Sequence, residues 1–490
     1  MKTLKDPSVI MLVAALVLGA VTRLIGLLGQ SIHVDEAHTF LLSSLPWRDM
    51  IAALVANDYH PPLFYAITHA LLGLGLQHEA YRFFTAPLAL ITITATWAIA
   101  RRLFGPAEAG IAAIVIAIDP TAILWDRIYR MYVVLEAVVA VSWWLLIEAE
   151  NATGRRRAVL WTAFVVCAVV QPYLHYLGII NVFCQALYAL PRLRTTWPAL
   201  ASAAASALAF LPWLPNALKQ LPGGGLVAGT ASLPIEWWTI VRDAVLEGAP
   251  LAWIQAPAFD IVVTILAVAM SVWAAWSARR SILPFWLTFA VLEVVLTLVS
   301  GKFVAAPRYL LPVLPVFAIG VGQVVNRHLL LPKLRVAAFA LGGAIVALLA
   351  FCATNVLFDP RYQFADWNIV SAILAQRAHA GDTIVFDQGY SAEALAKETV
   401  LRGYASWPVN APLDVTRAHT WLEQQSSHRV WYIENQFYYV DPDRRVISYL
   451  ESTRPQLSEW LEPRVELSNR VYVVLFAPER RPSPSPRHKP

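Results

Sequence analysis

The sequence has few charged residues and few cysteines. Asp, Glu, Lys and Arg make up 14% of its 490 residues, against roughly one quarter in an ordinary soluble domain, so a soluble globular protein is excluded. The three cysteines, Cys167, Cys184 and Cys352, lie far apart within apolar segments. An odd, scattered set predicts neither a disulfide framework nor a zinc site, and we expect three buried packing residues.

The sequence also lacks the glycine-rich loops that bind nucleotide phosphates. Neither G-x-G-x-x-G nor G-x-x-x-x-G-K-[ST] occurs, and no Lys-Ser or Lys-Thr follows the run Gly223-Gly224-Gly225. The net charge of +5 does not indicate a nucleic-acid partner, because the basic residues form short clusters between apolar runs rather than one basic face. Clusters so placed are typical of cytoplasmic loops under the positive-inside rule.

What the chain does contain is a series of long apolar runs. Hydrophobic residues make up 58% of it and the mean hydropathy is +0.54, and eleven runs approach the roughly 20 residues that cross a bilayer as a helix. We therefore predict an all-α polytopic membrane protein whose first run is an uncleaved span. The predicted spans are residues 8–29, 83–101, 107–122, 131–149, 158–172, 174–190, 197–215, 258–277, 281–300, 308–326 and 336–355.

A further apolar run, residues 61–76, is predicted to lie on the outer surface. It is short for a span and suits an interfacial helix. If it does not cross, the later basic clusters share the cytoplasmic side with Lys2 and Lys5, whereas a crossing would put them on opposite sides. We therefore expect the C-terminus and the first outer loop, residues 30–82, on the periplasmic face of a bacterial inner membrane.

The composition changes after about residue 357. Residues 1–357 form the predicted membrane domain, and residues 358–480 carry ordinary charge, which predicts a small periplasmic α/β domain followed by a disordered Pro/Ser-rich tail, residues 481–490. A further interfacial helix is predicted at residues 234–248. The predicted elements of the C-terminal domain are helices at about 366–380 and 443–452 and strands at 383–386, 429–433 and 470–476.

The first outer loop concentrates ionisable side chains. Asp35 and Glu36 directly follow the first span and are flanked by His33 and His38, and His60 lies further along the same loop. Acids and imidazoles are costly to hold at the mouth of a membrane span, so a functional site is the default hypothesis. The alternative is a solvated loop whose exposed charges have no role.

A carboxylate pair at a bilayer surface, with arginines nearby, fits transfer from a lipid-linked donor to an acceptor hydroxyl. The attacking hydroxyl must lose a proton, and we assign Asp35 as the base, with Glu36 or His60 orienting it. The leaving phosphate needs a cationic contact, which a planar guanidinium supplies in bidentate form. Arg308 and Arg130, each at the start of a predicted span, are the candidates, although either could be an interface arginine that reaches the lipid head groups.

A divalent cation is a further alternative. Asp35, His38 and His60 could together supply ligands, although their spacing matches no established metal motif. Asp126 and Asp119 lie on a neighbouring outer segment. Either could supply a second acid, or only cap a helix.

Taken in order, six short motifs between about residue 8 and residue 330 resemble the membrane glycosyltransferases of the GT-C superfamily. The nearest branch is the family 39, ArnT-like group, which is related to dolichyl-phosphate-mannose protein mannosyltransferases. No motif is specific alone, but six in order on one topological face are. They are Asp35-Glu36, His60-Pro61-Pro62-Leu63-Phe64-Tyr65, Arg130-Met131-Tyr132, His175-Tyr176, Leu211-Pro212-Trp213-Leu214-Pro215 and Arg308-Tyr309-Leu310-Leu311-Pro312.

The resemblance implies an inverting transfer of one sugar from a polyprenyl-phosphate donor to a lipid, glycan or protein hydroxyl. It implies a catalytic role for Asp35 and Glu36 and a lipid-phosphate contact for Arg308. Members of this branch often carry an acid two residues before the R-M-Y motif; that position is Ile128 here, and Asp126 is the nearest replacement. The remaining substrate-contact candidates are His60, Tyr65, Asp126, Arg130, Tyr132, His175 and Tyr309.

Two other classes remain open. A transporter or flippase would place its charges in discontinuous spans near the midplane and often has internal repeats, whereas here the ionisable groups cluster at the outer ends. An envelope assembly protein would act through the C-terminal domain and tolerate the loss of Asp35. Replacement of Asp35 separates the three, because only the enzyme would lose turnover while still binding donor.

Overall fold

The computed structural model describes residues 6–220, 257–300, 307–329, 335–387, 389–396, 405–408, 412–435, 441, 443–462 and 470–479. These residues form two compact units. The first contains residues 6–29, residues 39–220 and the described residues from 257 to 362. The second contains residues 30–38 and the described residues from 363 onward. Residues 30–38 therefore belong with the C-terminal part of the chain, although they lie near its beginning.

The first unit is helical. Among the described helices that are long enough to span a membrane, α8 is the most buried and α1 the least. The exposed residues of α1 are mainly apolar, as expected for a helix that faces lipid. The helices are α1 (Pro7–Leu24), α2 (Val34–Ser43, which begins in the second unit), α3 (Trp47–Asn57), α4 (Leu63–Leu72), α5 (Thr85–Leu103), α6 (Pro106–Ile118), α7 (Pro120–Asp126), α8 (Met131–Asn151), α9 (Gly154–Leu174), α10 (Leu177–Ala189), α11 (Leu193–Phe210), α12 (Leu214–Gln220), α13 (Pro257–Ser277), α14 (Leu283–Ser300), α15 (Leu314–Leu329) and α16 (Arg335–Phe358).

The helix lengths confirm a multi-pass membrane protein. Among the described residues, five helices are long and apolar enough to cross a bilayer alone, and seven are if two bent pairs each count as one span. All eleven predicted spans coincide with helices. Helix α4 has only 10 residues, about 15 Å at 1.5 Å per residue, which is half of a bilayer core and in keeping with its predicted place outside the spans.

The pair α6 and α7 shows how the sequence breaks a span. Pro120 has no backbone N–H to continue α6, and the axis bends by 54° at this point. Asp119 then caps α7, because its Oδ1 accepts a hydrogen bond from the backbone N–H of Ala122 at 2.9 Å. The bend ends α6 inside the helix bundle, where Asp119 is fully buried.

The second unit contains a five-stranded sheet of order β2-β1-β3-β5-β4. Strand β1 pairs in parallel with β2 and β3, whereas β5 runs antiparallel to β3 and β4. Its core includes Val385, Leu422, Tyr432 and Val474. The elements are α17 (Trp367–Arg377), β1 (Thr383–Phe386), α18 (Gly389–Ala396), β2 (Ala405–Pro408), α19 (Pro412–Gln424), β3 (Val430–Glu434), α20 (Arg445–Thr453), β4 (Gln456–Leu461) and β5 (Tyr472–Phe476).

The α/β prediction for the C-terminal region is therefore confirmed, and the predicted helices and strands lie within a few residues of α17, β1, β3, α20 and β5. Strands β2 and β4 and helices α18 and α19 were not predicted. The predicted interfacial helix at residues 234–248 and the predicted disordered tail at residues 481–490 lie outside the described residues.

Close helix packing leads to a first prediction. A methyl group on Gly320 of α15 would lie 2.4 Å from the backbone oxygen of Met270 on α13, so Gly320→Ala must push two helices apart. Overpacking of this kind costs about 1–3 kcal/mol, and we expect a lower midpoint of thermal unfolding for the purified protein. In the matched control Gly343→Ala on α16 the methyl group meets nothing within 4 Å, and equal midpoints for the two variants would contradict the packing.

Candidate functional site

The loop between α3 and α4 is organised around the Asp58 carboxylate, which is 4% exposed. It accepts hydrogen bonds from the His60 ring Nδ1 at 2.6 Å, from the backbone N–H of His60 at 3.0 Å, and from the Tyr65 hydroxyl. Burial raises the pKa of Tyr65 well above its ordinary value, so this hydroxyl keeps its proton and remains a donor. Asp58 therefore fixes the ring orientation of His60 and the position of Tyr65.

Arg130 lies beside Tyr65. It occupies the extended residue before α8 and is 3% exposed. Its Nη1 donates to the Thr39 hydroxyl and, at 3.3 Å, to the Tyr65 hydroxyl. Two neutral hydroxyl groups thus hold a buried guanidinium in place at the start of a membrane helix.

A second guanidinium stands among aromatic rings. The Arg308 guanidinium carbon is 5.0 Å from the ring centre of Tyr309, 5.2 Å from that of Trp125 and 5.7 Å from that of Tyr132, all within the range of cation–π attraction. The Tyr132 ring also lies 6.0 Å from the Arg130 guanidinium. Tyr132 is thus the side chain that both arginines share.

His175 lies at the centre of these groups. It sits in the break between α9 and α10, with ring centres 5.2 Å from His60, 5.7 Å from Tyr132 and 5.5 Å from Tyr309. Burial, together with the electrostatic effect of His60, Arg130 and Arg308, holds the pKa of His175 well below its ordinary value. The imidazole is therefore neutral at physiological pH.

The hydrogen bonds of His175 fix which nitrogen carries its proton. Nδ1 accepts from the backbone N–H of Leu177 at 3.1 Å, so in the neutral ring the proton is on Nε2. Nε2 is buried and has no hydrogen-bond partner among the residues that the structure describes. An unsatisfied buried donor is costly. The positive charges of Arg130 and Arg308 act on this ring, so an anionic oxygen would suit the position.

Two further motif segments join this region through Gln220 on α12. The Gln220 amide donates to the backbone oxygens of Leu54 and Asp58 at 2.9 and 3.0 Å. Its carbonyl accepts from the Tyr176 hydroxyl, which in turn accepts from the Trp213 indole at 3.0 Å. The H-P-P-L-F-Y, H-Y and L-P-W-L-P segments, far apart in sequence, are therefore neighbours in the first unit.

The Asp35-Glu36 pair lies in the second unit, at the start of α2, and its two carboxylates differ. Glu36 is 1% exposed and its Oε2 accepts from the backbone N–H of His33 at 2.9 Å, while His33 Nδ1 accepts from the backbone N–H of Asp35 at 3.1 Å. This is the reciprocal pattern of a capping box, with histidine in place of serine or threonine. The Asp35 side chain is 30% exposed and lies 4.0 Å from His33 Nδ1, so Asp35 is the carboxylate that solvent reaches.

Asp126 lies with a different set of residues. It is 1% exposed and pairs with Arg23 of α1, whose Nη2 and Nε are 3.0 and 3.1 Å from Asp126 Oδ2. Arg23 also donates to the backbone oxygens of Ile116 and Ala117, which the end of α6 leaves without helical partners. Glu136 lies within hydrogen-bonding reach of Asp126. The structure thus gives Asp126 a place in a buried ion pair within the helices.

No three His, Cys, Asp or Glu side chains converge as a metal site in the part of the chain that the structure describes. The metal set Asp35, His38 and His60 accordingly has no geometric support there. Three side chains that build the region were not predicted from the sequence, namely Thr39, Trp125 and Gln220, and neither was Arg23, the partner of Asp126. Asp58 was visible in the sequence as the acid beside the H-P-P motif, but it was not among the predicted site residues.

Comparison with known proteins places this geometry in a fold. The family model of dolichyl-phosphate-mannose-protein mannosyltransferases matches residues 59–215, a range that holds His60, Arg130 and His175 but not Asp35 or Arg308. A search among curated protein sequences found no match.

Solved structures of similar fold include ArnT and archaeal oligosaccharyltransferases. ArnT from Cupriavidus metallidurans in the apo state matches with 15% identity over 95% of this chain and 97% of that one, at a TM-score of 0.51. The archaeal oligosaccharyltransferase AglB from Archaeoglobus fulgidus, in complex with an inhibitory peptide and a dolichol-phosphate, matches with 11% identity over 98% and 75%, at 0.51. An Archaeoglobus fulgidus oligosaccharyltransferase in complex with Zn and sulfate matches with 12% identity over 91% and 71%, at 0.54.

The family match and the shared fold confirm the resemblance to the ArnT-like GT-C membrane glycosyltransferases that the ordered motifs indicated. Sequence identities of 11–15% show a shared fold, and they do not show a shared activity.

The buried ion pair gives a second prediction. Arg23→Gln would leave Asp126 without its cation inside the helices, and breaking a buried pair from one side costs about 3–5 kcal/mol. We expect a clear fall in the midpoint of thermal unfolding in detergent. The matched control is Arg156→Gln, because Arg156 pairs with Glu148 at 2.7 Å but is 70% exposed, and an exposed pair contributes about 1 kcal/mol or less. Equal falls for both variants would contradict a structural role for the buried pair.

Proposed function

We propose that the chain is an inverting glycosyltransferase that moves one sugar from a polyprenyl-phosphate donor to an acceptor hydroxyl at the periplasmic face of a bacterial inner membrane. The observation that carries the proposal is the convergence of Arg130, Arg308 and the Nε2–H of His175 around Tyr132. Two guanidinium groups and a neutral N–H donor suit a phosphate, because all three favour anionic oxygens. The dolichol-phosphate bound to AglB, a protein of similar fold, supports this class of ligand.

The reaction itself needs a base and a stabilised leaving group. The acceptor hydroxyl oxygen attacks the anomeric carbon and gives its proton to the Asp35 carboxylate, while the bond from that carbon to the phosphate oxygen breaks with its electron pair on the oxygen. Direct displacement from the opposite side inverts the anomeric configuration. The developing phosphate charge would be met by the two arginines, which are held before the donor arrives and need no reorganisation.

The other candidate residues receive more limited roles. Glu36 would hold the start of α2, and thus Asp35, in place rather than act on substrate. His60, Tyr65, Tyr132 and Tyr309 would line the donor site. Asp126 was predicted as a substrate contact, but its pairing with Arg23 favours a structural role. The acceptor would be a lipid, glycan or protein hydroxyl, and the C-terminal domain would lie on the periplasmic side.

The third prediction tests the base. Asp35→Asn keeps the size of the side chain but removes its proton acceptor, and loss of a general base typically costs about 10²–10⁴-fold in rate. We expect kcat for transfer of radiolabelled sugar from polyprenyl-phosphate donors into a membrane extract to fall by that factor, with donor affinity retained. Asp49→Asn is the matched control. Asp49 belongs to helix α3, within the same outer loop, residues 30–82, and its side chain is exposed.

Three outcomes of this assay separate the functional classes. Release of polyprenyl phosphate with label in a new product, lost in Asp35→Asn but kept in Asp49→Asn, supports the enzyme. Movement of an intact lipid-linked sugar across vesicles without release of polyprenyl phosphate would support a flippase instead. Failure of both variants and the parent protein to bind any lipid-linked sugar would overturn the proposal.

The fourth prediction concerns His175 as a neutral donor. In His175→Gln the amide nitrogen can take the place of Nε2–H, whereas in His175→Asn the amide reaches only the position of Nδ1. A hydrogen bond to a charged group contributes about 1.5–3 kcal/mol, so we expect His175→Asn to weaken binding of undecaprenyl phosphate about tenfold or more and His175→Gln to stay near the parent value.

The pH dependence of binding shows whether His175 acts as a neutral donor or as a cation. Because the pKa of His175 is held well below its ordinary value, the ring carries no charge at pH 6 or at pH 8, and the ratio of parent to His175→Gln affinity should be constant over that range. The other charged and titratable side chains that act on the ring, namely His60, Asp58, Arg130 and Arg308, are the same in both proteins. A ratio that rises towards pH 6 would mean that His175 acts as a cation.

A further inference from the structure

We infer that the C-terminal α/β domain has a positioning function: it holds the acidic segment, residues 30–38, in the conformation from which Asp35 acts. The inference rests on the proposed role of Asp35 as the base, and it assigns a task to a domain that carries none of the motifs. Its basis is that residues 30–38 belong to the same compact unit as the domain and are tied to it at three points.

The first point of attachment precedes Asp35. The backbone N–H of Trp367, at the start of α17, donates to the Ser31 hydroxyl at 2.8 Å. The Trp367 side chain is fully buried. The neighbouring Asp366 donates its own backbone N–H to the Glu462 carboxylate at 3.1 Å, directly after β4. Ser31 is thus linked through two adjacent amide groups to the edge of the sheet.

The second and third points lie on either side of Asp35. The His33 ring meets the Phe364 ring edge-on at 4.5 Å between centres, and this ring also accepts the Asp35 backbone N–H. On the other side, His38 Nδ1 lies 2.9 Å from Glu393 Oε2 on α18, a helix that packs on β1. Two separate parts of the domain, the entry to α17 and helix α18, therefore contact the segment.

These contacts matter because α2 could not order itself. A helix of 10 residues is marginal in water, since nucleation costs more than so few turns return. Its first turn is held by the His33–Glu36 capping contacts, and His33 is in turn held by Phe364. Loss of the domain contacts would leave Asp35 on a fraying helix end, and small misplacement of a reacting group is enough to slow a reaction many-fold.

The test uses the full chain in lipid nanodiscs. Glu393→Ala removes the partner of His38, Ser31→Ala removes the acceptor of the Trp367 amide, and Glu393→Gln keeps an acceptor for His38. Glu451→Ala is the control, because Glu451 is an exposed residue of α20 in the same domain. Hydrogen exchange of the peptide that covers residues 30–38, kcat, and the Kd for undecaprenyl phosphate are measured for each.

We expect Glu393→Ala and Ser31→Ala each to raise hydrogen exchange in residues 30–38 and to lower kcat by about tenfold, a small part of what misplacement can cost. The Kd should not change, and Glu393→Gln and Glu451→Ala should behave like the parent protein. Unchanged exchange of the β1 and β3 peptides would show that the domain itself remains folded in both variants.

Two results would overturn the inference, and they are distinguishable. If the double variant Ser31→Ala, Glu393→Ala keeps parental exchange in residues 30–38 and parental kcat, while Asp35→Asn abolishes turnover, the positioning role fails and the proposed function stands. If Asp35→Asn itself retains turnover, the base assignment fails, and with it any catalytic reason to hold the segment.

Discussion

The constraint on which the structure depends is that helix breaks inside or beside a membrane leave backbone groups that must find partners. In the first unit, polar side chains supply them. Arg23 donates to the carbonyl oxygens at the end of α6, Asp119 accepts an amide hydrogen at the start of α7, and Gln220 donates to the carbonyl oxygens at the end of α3. Each helix break is thus accompanied by a buried polar side chain. The positions of the breaks therefore determine where polar groups can be held inside the helical unit.

The same constraint explains the state of His175. Its Nδ1 is committed to the Leu177 amide at the start of α10, which leaves only Nε2 for a ligand and requires that nitrogen to carry the proton. A protonated ring would add a third positive charge beside Arg130 and Arg308 in a buried place, and burial with like charges opposes that. The fold thus uses one nitrogen of the ring as an acceptor, and the proposed phosphate contact would use the other as a donor. The neutral tautomer with its proton on Nε2 suits both.

Sequence reasoning succeeded where the signal is local or repeated along the chain. Apolar runs predicted the spans because the length and hydrophobicity of each run are enough to indicate a helix. The α/β region was predicted because strands such as Thr383–Phe386 are short apolar runs between turn residues. The order of six motifs was enough to indicate a resemblance to a superfamily, which the shared fold and the family match support. Five of the six motifs lie in the first unit. Their convergence there, through Gln220 and Tyr132, depends on a glutamine outside every motif and on a tyrosine that looks like an ordinary aromatic residue.

The residues whose roles were predicted wrongly or not at all share one physical cause. The sequence shows that a residue is charged, but it does not show which residue pairs with it in the fold. Arg23, at the end of the first apolar run, reads as an interface arginine, and only the bend at Asp119 and Pro120 brings Asp126 to within 3.0 Å of it. Asp126 looked like the missing second acid because it lies near Arg130 in sequence. Since an α7 residue and the residue that precedes α8 are separated by a turn, they face different surroundings despite that proximity.

The adjacent acids Asp35 and Glu36 show the same principle at its smallest scale. From sequence they are equivalent candidates, one residue apart. A helix that starts at Val34 makes them different, because the third helical position can reach back to the His33 amide whereas the second cannot. Glu36 is therefore drawn inward to cap the helix, and Asp35 is left 30% exposed, with its backbone amide held by the His33 ring. The start of one short helix, which contacts the C-terminal domain within the second unit, is what separates the buried capping acid from the acid that solvent reaches and that we propose as the base.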